Sequence, residues 1–73
     1  MQKNRSLKVL RAKHGLTQEA IAKQLNISRQ YYAAIENGET AGNIQFWAKL
    51  QKALSVPSEE MWGLINNEEP AQV

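Results

Sequence analysis

The sequence predicts an all-α fold, and three observations lead there. Apolar residues recur at helical spacing in five stretches. Each stretch is bracketed by residues that start or stop helices. No six-residue alternation of apolar and polar residues, and no β-branched cluster, asks for a strand. The expected helices cover 6–14, 18–25, 29–37, 44–55 and 58–65. In the first, Leu7, Leu10 and Arg11 share a face, and Gly15 stands where a left-handed C-terminal cap belongs, leaving His14 at an exposed end facing the helix dipole. Thr17 caps the second, Glu19 suits its first turn, and Ile21, Ala22 and Leu25 form its inward stripe, with alanine allowing a close helix crossing. Asn26, a residue that tolerates positive φ, breaks the chain; Ile27 is an apolar anchor and Ser28 a new N-cap. The third helix turns Tyr32, Ile35 and Glu36 inward and stops at Gly38. After a loop, Asn43 caps the fourth, whose apolar positions are Ile44, Trp47, Leu50 and Leu54. Val56 and Pro57 break it, and the fifth starts near Ser58 with Glu59 and Glu60 in its first turn and Met61, Trp62, Leu64 and Ile65 as its apolar residues.

Size and composition narrow the functions available. A chain of 73 residues has surface for one core, and comparable domains bury only about 60% of what their unfolded chains expose. One domain over 1–65 with a flexible tail at 66–73 is expected, and little apolar surface is spare for a substrate pocket or a small-molecule effector site. With no cysteine and the single histidine His14, neither a disulfide nor a metal site is expected, no cofactor is implied, and no nucleophile is paired with a base. No apolar run approaches the roughly 18 residues of a membrane span, and the opening MQKNRSLKVL lacks the apolar core of a signal peptide. A soluble, cytoplasmic protein without membrane association is expected, and an enzyme is not.

Charge is distributed unevenly. Residues 1–30 hold seven Lys/Arg against one Glu, and residues 31–73 hold two against six. Such polarity suits a basic face turned toward a polyanion, although short helical proteins also segregate charge on solvated faces without a partner.

Two short capped helices meeting across a tight turn, with small Ala22 at the crossing, are what a helix-turn-helix needs to hold its second helix outward. The run Leu10-Arg11, Gly15-Leu16-Thr17-Gln18, Ile21-Ala22, Leu25-Asn26-Ile27-Ser28 and Ile35-Glu36-Asn37-Gly38 resembles the DNA-binding domain of the phage Cro/CI-like (XRE) repressors over residues 7–65. The resemblance implies a five-helix, lambda-repressor-like fold whose second and third helices read DNA. Three positions depart from the family pattern: Asn26 replaces the usual turn glycine, Gly42 stands where proline is common, and Gln51 takes the place of a small apolar residue. The loop from Gly38 to Asn43 also carries no Lys or Arg, so modest affinity per monomer and a shallow salt dependence are expected.

With Tyr32 and Ile35 inward, Ser28, Arg29, Gln30, Ala33 and Ala34 are left on the outer side of the third helix. Arg29 is suited to grip guanine O6 and N7, and Gln30 to bracket adenine N6 and N7. Ser28 caps the helix, touches a base edge or does both; the two alanines reach at most a thymine methyl. In similar family members the glutamine matching Gln18 bonds a phosphate and braces the reading helix, and that role is carried over. Asn37 and Asn43 are phosphate candidates as well as turn formers, helix starts offer N–H donors, and Arg5, Lys8 and Lys23 add longer-range attraction. The family pairs residues at the positions of Arg11 and Glu36, so a structural ion pair is expected there. Trp62, Leu64 and Ile65 are candidates for a dimer seam, with filling of the core as the alternative for the tryptophan.

The function expected is a sequence-specific, double-stranded-DNA-binding transcriptional regulator, a repressor acting as a homodimer on an inverted repeat, because one small domain reading four or five base pairs does not single out a genomic site. The competing reading is a protein-interaction module, antitoxin-like or bound to the transcription machinery, that keeps the scaffold without reading DNA.

Overall fold

Side-chain caps decide where four of the helices begin. In the computed structural model, which describes residues 4–66, α1 spans Arg5–Lys13, α2 Gln18–Gln24, α3 Arg29–Glu36, α4 Ile44–Leu54 and α5 Ser58–Ile65. Thr17 Oγ1 accepts from the Ala20 N–H at 3.0 Å, Ser28 Oγ from Tyr31 at 3.0 Å and Asn43 Oδ1 from Phe46 at 2.8 Å. Each bond satisfies one of the donors that a helix start leaves open. α1 begins a residue earlier than expected because Asn4 is its cap, accepting from the Leu7 N–H at 2.9 Å. Asn4 does more than cap: its side-chain amide donates to the Leu64 carbonyl at 2.9 Å, and its backbone N–H to the Glu36 carbonyl at 2.9 Å. One buried residue therefore ties the start of α1 to the ends of α3 and α5.

The first four helices all stop by one device. Gly15, Asn26, Gly38 and Ser55 take positive φ, at 67°, 58°, 79° and 53°. After each, the next N–H returns to a carbonyl five residues back: Leu16 to Arg11, Ile27 to Ala22, Glu39 to Ala34 and Val56 to Gln51. In three of the four the residue making that bond is apolar, and Leu16, Ile27 and Val56 pack on or within the core. Asn26 thus takes over the left-handed position of the turn between α2 and α3 that glycine usually fills. Gly42 also has positive φ, at 78°, which proline, fixed near −65°, cannot adopt. A Cβ there would meet Ile35 Cδ1 at 3.2 Å and Phe46 Cδ2 and Trp47 Nε1 at 3.3 Å, so the departure from proline is a packing requirement. Gln51 also has its reason: Nε2 donates to the Val56 carbonyl at 3.2 Å and to Ser58 Oγ at 3.3 Å, bracing the turn into α5.

Among the described residues there are five helices and no strand. α2 packs on α3, α1 on α3 and α5, and α4 on α5, around a core whose largest sealed side chains are Tyr32 and Phe46. Phe46, Trp47 and Tyr31 form an edge-to-face series, with Phe46–Trp47 centroids 4.8 Å apart. Two expectations for the apolar residues are corrected. Ile44 lies outside the core at 84% exposure, because α4 seats Phe46, Trp47 and Leu50 inward and the first position of the helix falls beyond that stripe. Leu64 is buried within the single chain, since α5 presses it with Met61 into the core; it is not available to a dimer seam. Trp62 and Ile65 remain on the surface, at 67% and 49% exposure. The tail expected over 66–73 lies, apart from Asn66, outside the described residues.

Candidate nucleic-acid interface

The start of α2 and the body of α3 are locked together through one carboxylate. Glu36, at the end of α3, receives Arg11 Nε on Oε2 at 2.9 Å and Arg11 Nη2 on Oε1 at 3.2 Å. The Tyr32 hydroxyl donates to Oε2 at 2.6 Å, and Gln18 Nε2 to Oε1 at 3.0 Å. The carboxylate is therefore met by four donors from α1, α2 and α3, two on each oxygen. Arg11 spends a further N–H on the Leu16 carbonyl at 2.8 Å, which fixes the segment leading into α2. Burial alone would raise the Glu36 pKa, but the hydrogen bonds from Arg11, Tyr32 and Gln18 outweigh it and hold the carboxyl below its ordinary value. Arg11 is pushed up, first by its bond to Glu36. Tyr32 is pushed far above the ordinary phenol range by burial and then by the anion it faces.

The expected Arg11–Glu36 pair is thus present, and it is larger than a pair. The tyrosine hydroxyl is an addition to it, although a tyrosine four residues before an inward glutamate on one helix is the spacing that brings such groups together. The five donors of a guanidinium leave Arg11 two N–H groups beyond these bonds, and the Gln18 amide keeps one. Arg11 and Gln18 line an open recess of about 530 Å³ together with Thr17, Glu19 and Arg29.

Ser28 is the N-cap of α3 and Arg29 and Gln30 open its first turn, both exposed, while Ala33 and Ala34 on the same outer side are half-buried. No hydrogen bond or ion pair within the described residues engages the side chains of Arg29 or Gln30, whereas Ser28 is occupied as an acceptor by its capping bond. Asn37, also exposed, is the C-cap of α3. Asn43 spends its carbonyl oxygen on the α4 cap and retains an amide donor. Arg5, Lys8 and Lys23 are exposed but not gathered at the recess: Arg5 and Lys8 precede Arg11 on α1 by two turns and one, and Lys23 sits at the opposite end of α2 from Gln18. Among the described residues no group of three or more His, Cys, Asp or Glu side chains is placed to hold a metal, and no helix is long and apolar enough to cross a membrane.

Residues 7–61 match the family described as Helix-turn-helix. The chain belongs to that family. This helix-turn-helix protein is a DNA-binding regulator of transcription. It is 42% identical over 56 residues to an uncharacterized HTH-type transcriptional regulator of Methanocaldococcus jannaschii, covering 77% of this chain and 85% of that one. It is 31% identical over 65 residues to the control protein C.MunI of a Mycoplasma species, covering 89% and 88%. It is 36% identical over 58 residues to the uncharacterized HTH-type transcriptional regulator YgzD of Bacillus subtilis, covering 80% and 88%. No solved structure matches it significantly.

Proposed function

We propose that this helix-turn-helix regulator reads an inverted-repeat operator as a twofold dimer and represses by occupying the promoter. The observation that carries the reading is the pair Arg29 and Gln30, exposed in the first turn of α3 and unspent on the protein itself. In this reading α3 enters the major groove by its N-terminal end, Arg29 takes a guanine and Gln30 an adenine through paired hydrogen bonds, and Ser28 adds a base-edge contact through its hydroxyl proton. Ala33 and Ala34 let the helix seat closely and touch thymine methyls. Gln18, supported by Arg11, holds a phosphate beside the recess; Asn37 and Asn43 hold others, and Arg5, Lys8 and Lys23 contribute attraction at longer range. The protein works where the DNA is, in the cytoplasm, and needs neither a cofactor, an effector nor a catalytic group for this role.

Selection from a random pool of duplexes tests the reading. The expected result is one enriched inverted repeat, with half-site centres about one helical turn, 34 Å, apart. A pool without enrichment at about 50 mM salt, where electrostatic association is strong, would instead identify a protein-interaction module. The bare 38–43 loop supports a salt slope shallower than that of a regulator making six to ten phosphate contacts.

The seam of the dimer is assigned to Trp62 and Ile65, the two large apolar side chains that α5 leaves on the surface. Trp62→Glu is expected to leave the melting temperature of the monomer within a few degrees and to weaken operator binding at least tenfold, since each bound unit then engages one half-site instead of two. Sedimentation should show the wild-type protein as a dimer on operator DNA and the variant as a monomer. A variant that dimerises and binds like the wild type places the seam elsewhere.

A further inference from the structure

The aromatic cluster between α3 and α4 holds one more hydroxyl in the first turn of α3, next to Arg29 and Gln30. Tyr31 is half-buried, with its ring edge-on against Phe46 at a centroid distance of 6.2 Å and an interplanar angle of 87°. Phe46 is itself 1% exposed and wedged against Trp47 and Tyr32, so the tyrosine ring leans on a fixed wall. Its hydroxyl has no partner among the described residues, yet no buried side-chain nitrogen or oxygen lacks one. The phenol oxygen is therefore open to solvent while the ring that carries it is held.

Helix geometry gives this hydroxyl its direction. Successive residues of α3 fan out by about 100°: Arg29 lines the recess at the start of α2, Gln30 stands exposed between, and Tyr31 turns to the α4 side. The two flanks are unequally supplied with donors. On the α2 side Arg11, Gln18 and Arg29 converge. On the α4 side the loop of residues 38–43 has Glu39 as its only charged residue, and the next residue, Ile44, is apolar and 84% exposed. A groove has a phosphate strand along each edge, and on the α4 edge the uncharged amides of Asn37 and Asn43 would otherwise have to hold the helix against rolling without a cation.

We propose that the Tyr31 hydroxyl donates a hydrogen bond to a backbone phosphate on the α4 flank, in the place where the loop has no cation. The inference rests on the operator reading above. A phenol suits the position because its two-torsion side chain is already immobilised by the ring contact, so little freedom is given up on binding. A donor to an ionised acceptor makes one of the stronger hydrogen bonds. The contact fixes register and carries no base preference of its own.

The operator selected by the wild-type protein provides the test, with Tyr31→Phe as the variant, because it keeps the ring on Phe46 and removes only the hydroxyl. The expected result is affinity lower by about tenfold, to the same degree on the operator and on its single-base variants. The melting temperature stays unchanged, and so does the salt slope, because no cation has been removed. Replacing the phosphates of one half-site one at a time by uncharged methylphosphonate should reveal one position that weakens the wild-type protein and does not weaken Tyr31→Phe further. Affinity within twofold of wild type on a well-defined operator overturns the inference and leaves the operator reading standing. A loss confined to one base pair also overturns it and makes Tyr31 a base reader. A wild-type protein that enriches no sequence overturns both.

Discussion

Glu36→Gln should lower the melting temperature at pH 7 by on the order of 10–20 °C. The amide keeps the shape of the side chain but not its charge, and it offers one acceptor oxygen where the carboxylate meets four donors. Arg11, with its side chain only 16% exposed, is then left without a counter-charge. Breaking a buried pair from one side costs about 3–5 kcal/mol, somewhat less here because glutamine can still accept from one donor. A small domain loses roughly 4–8 °C per kcal/mol, and its whole stability is of the order of 5–15 kcal/mol. The pH dependence separates this cause from simple mispacking. The Glu36 pKa is lowered in the fold, so its stabilisation is complete above the carboxylate range of an unfolded chain, about 4.3, and disappears as pH falls through the lower folded value. Melting curves of wild type and variant should therefore draw together in acid. A gap that stays constant from pH 7 down to about 2 would refute the electrostatic account, and an unchanged melting temperature at pH 7 would refute the network itself. Operator affinity should also fall, because Gln18 loses the bond that aims its amide at the recess.

The same residues show what can be read from a sequence and where such reading stops. Thr17, Ser28 and Asn43 are recognisable as caps because a capping bond spans three residues, and the residue type, the following helix and the turn are all local. Gly15, Gly38 and Asn26 are legible for the same reason, since the left-handed conformation leaves a mark in residue type. Ser55 leaves none: serine is not distinguished in that conformation, and its place is fixed by the Val56 bond to Gln51 and by the Gln51 side chain across the turn. The wider role of Asn4 is invisible to sequence reading because two of its partners, Glu36 and Leu64, are 32 and 60 residues away. Ile44 and Phe46 illustrate a different limit. Positions 44, 47, 50 and 54 and positions 46, 47 and 50 both satisfy a helical period, and only the seat of α4 against the other helices chooses between them. Leu64 and Trp62 stand on one short helix, both apolar, and the packing of α5 against α1 and α4 alone decides which is inside. In the site, the ion pair of Arg11 and Glu36 follows from the family resemblance. The added donor from Tyr32 is a matter of i,i+4 spacing within α3, whereas the Gln18 amide reaches the carboxylate only because α2 meets α3, which no single segment states.

Arg29→Ala should abolish preference at one base pair of each half-site and cost about 1–3 kcal/mol of binding per half-site, while leaving the fold intact. Its side chain is exposed and makes no bond within the described residues, so stability should change by no more than about 0.5 kcal/mol. A guanidinium bonded to both guanine acceptors discriminates against the other bases by about the stated amount. Repeating the duplex selection with the variant should return the wild-type motif with one G·C position erased and its neighbours retained. Gln30→Ala should erase the adjacent A·T position instead, because the two residues are consecutive on the helix. The recess gives Arg29 a second partner to choose from, since Gln18 and Arg11 line the same space and a phosphate held there would also attract a guanidinium. The two outcomes differ in kind. If Arg29 reads a base, removing its guanidinium changes the motif; if it holds a phosphate, removing it weakens all duplexes alike and reduces the salt slope by about 0.9 for each phosphate released. An unchanged motif with a reduced slope would assign Arg29 to the backbone, leave Gln30 as the principal reader, and require that specificity come from Gln30, Ser28 and the shape of the operator.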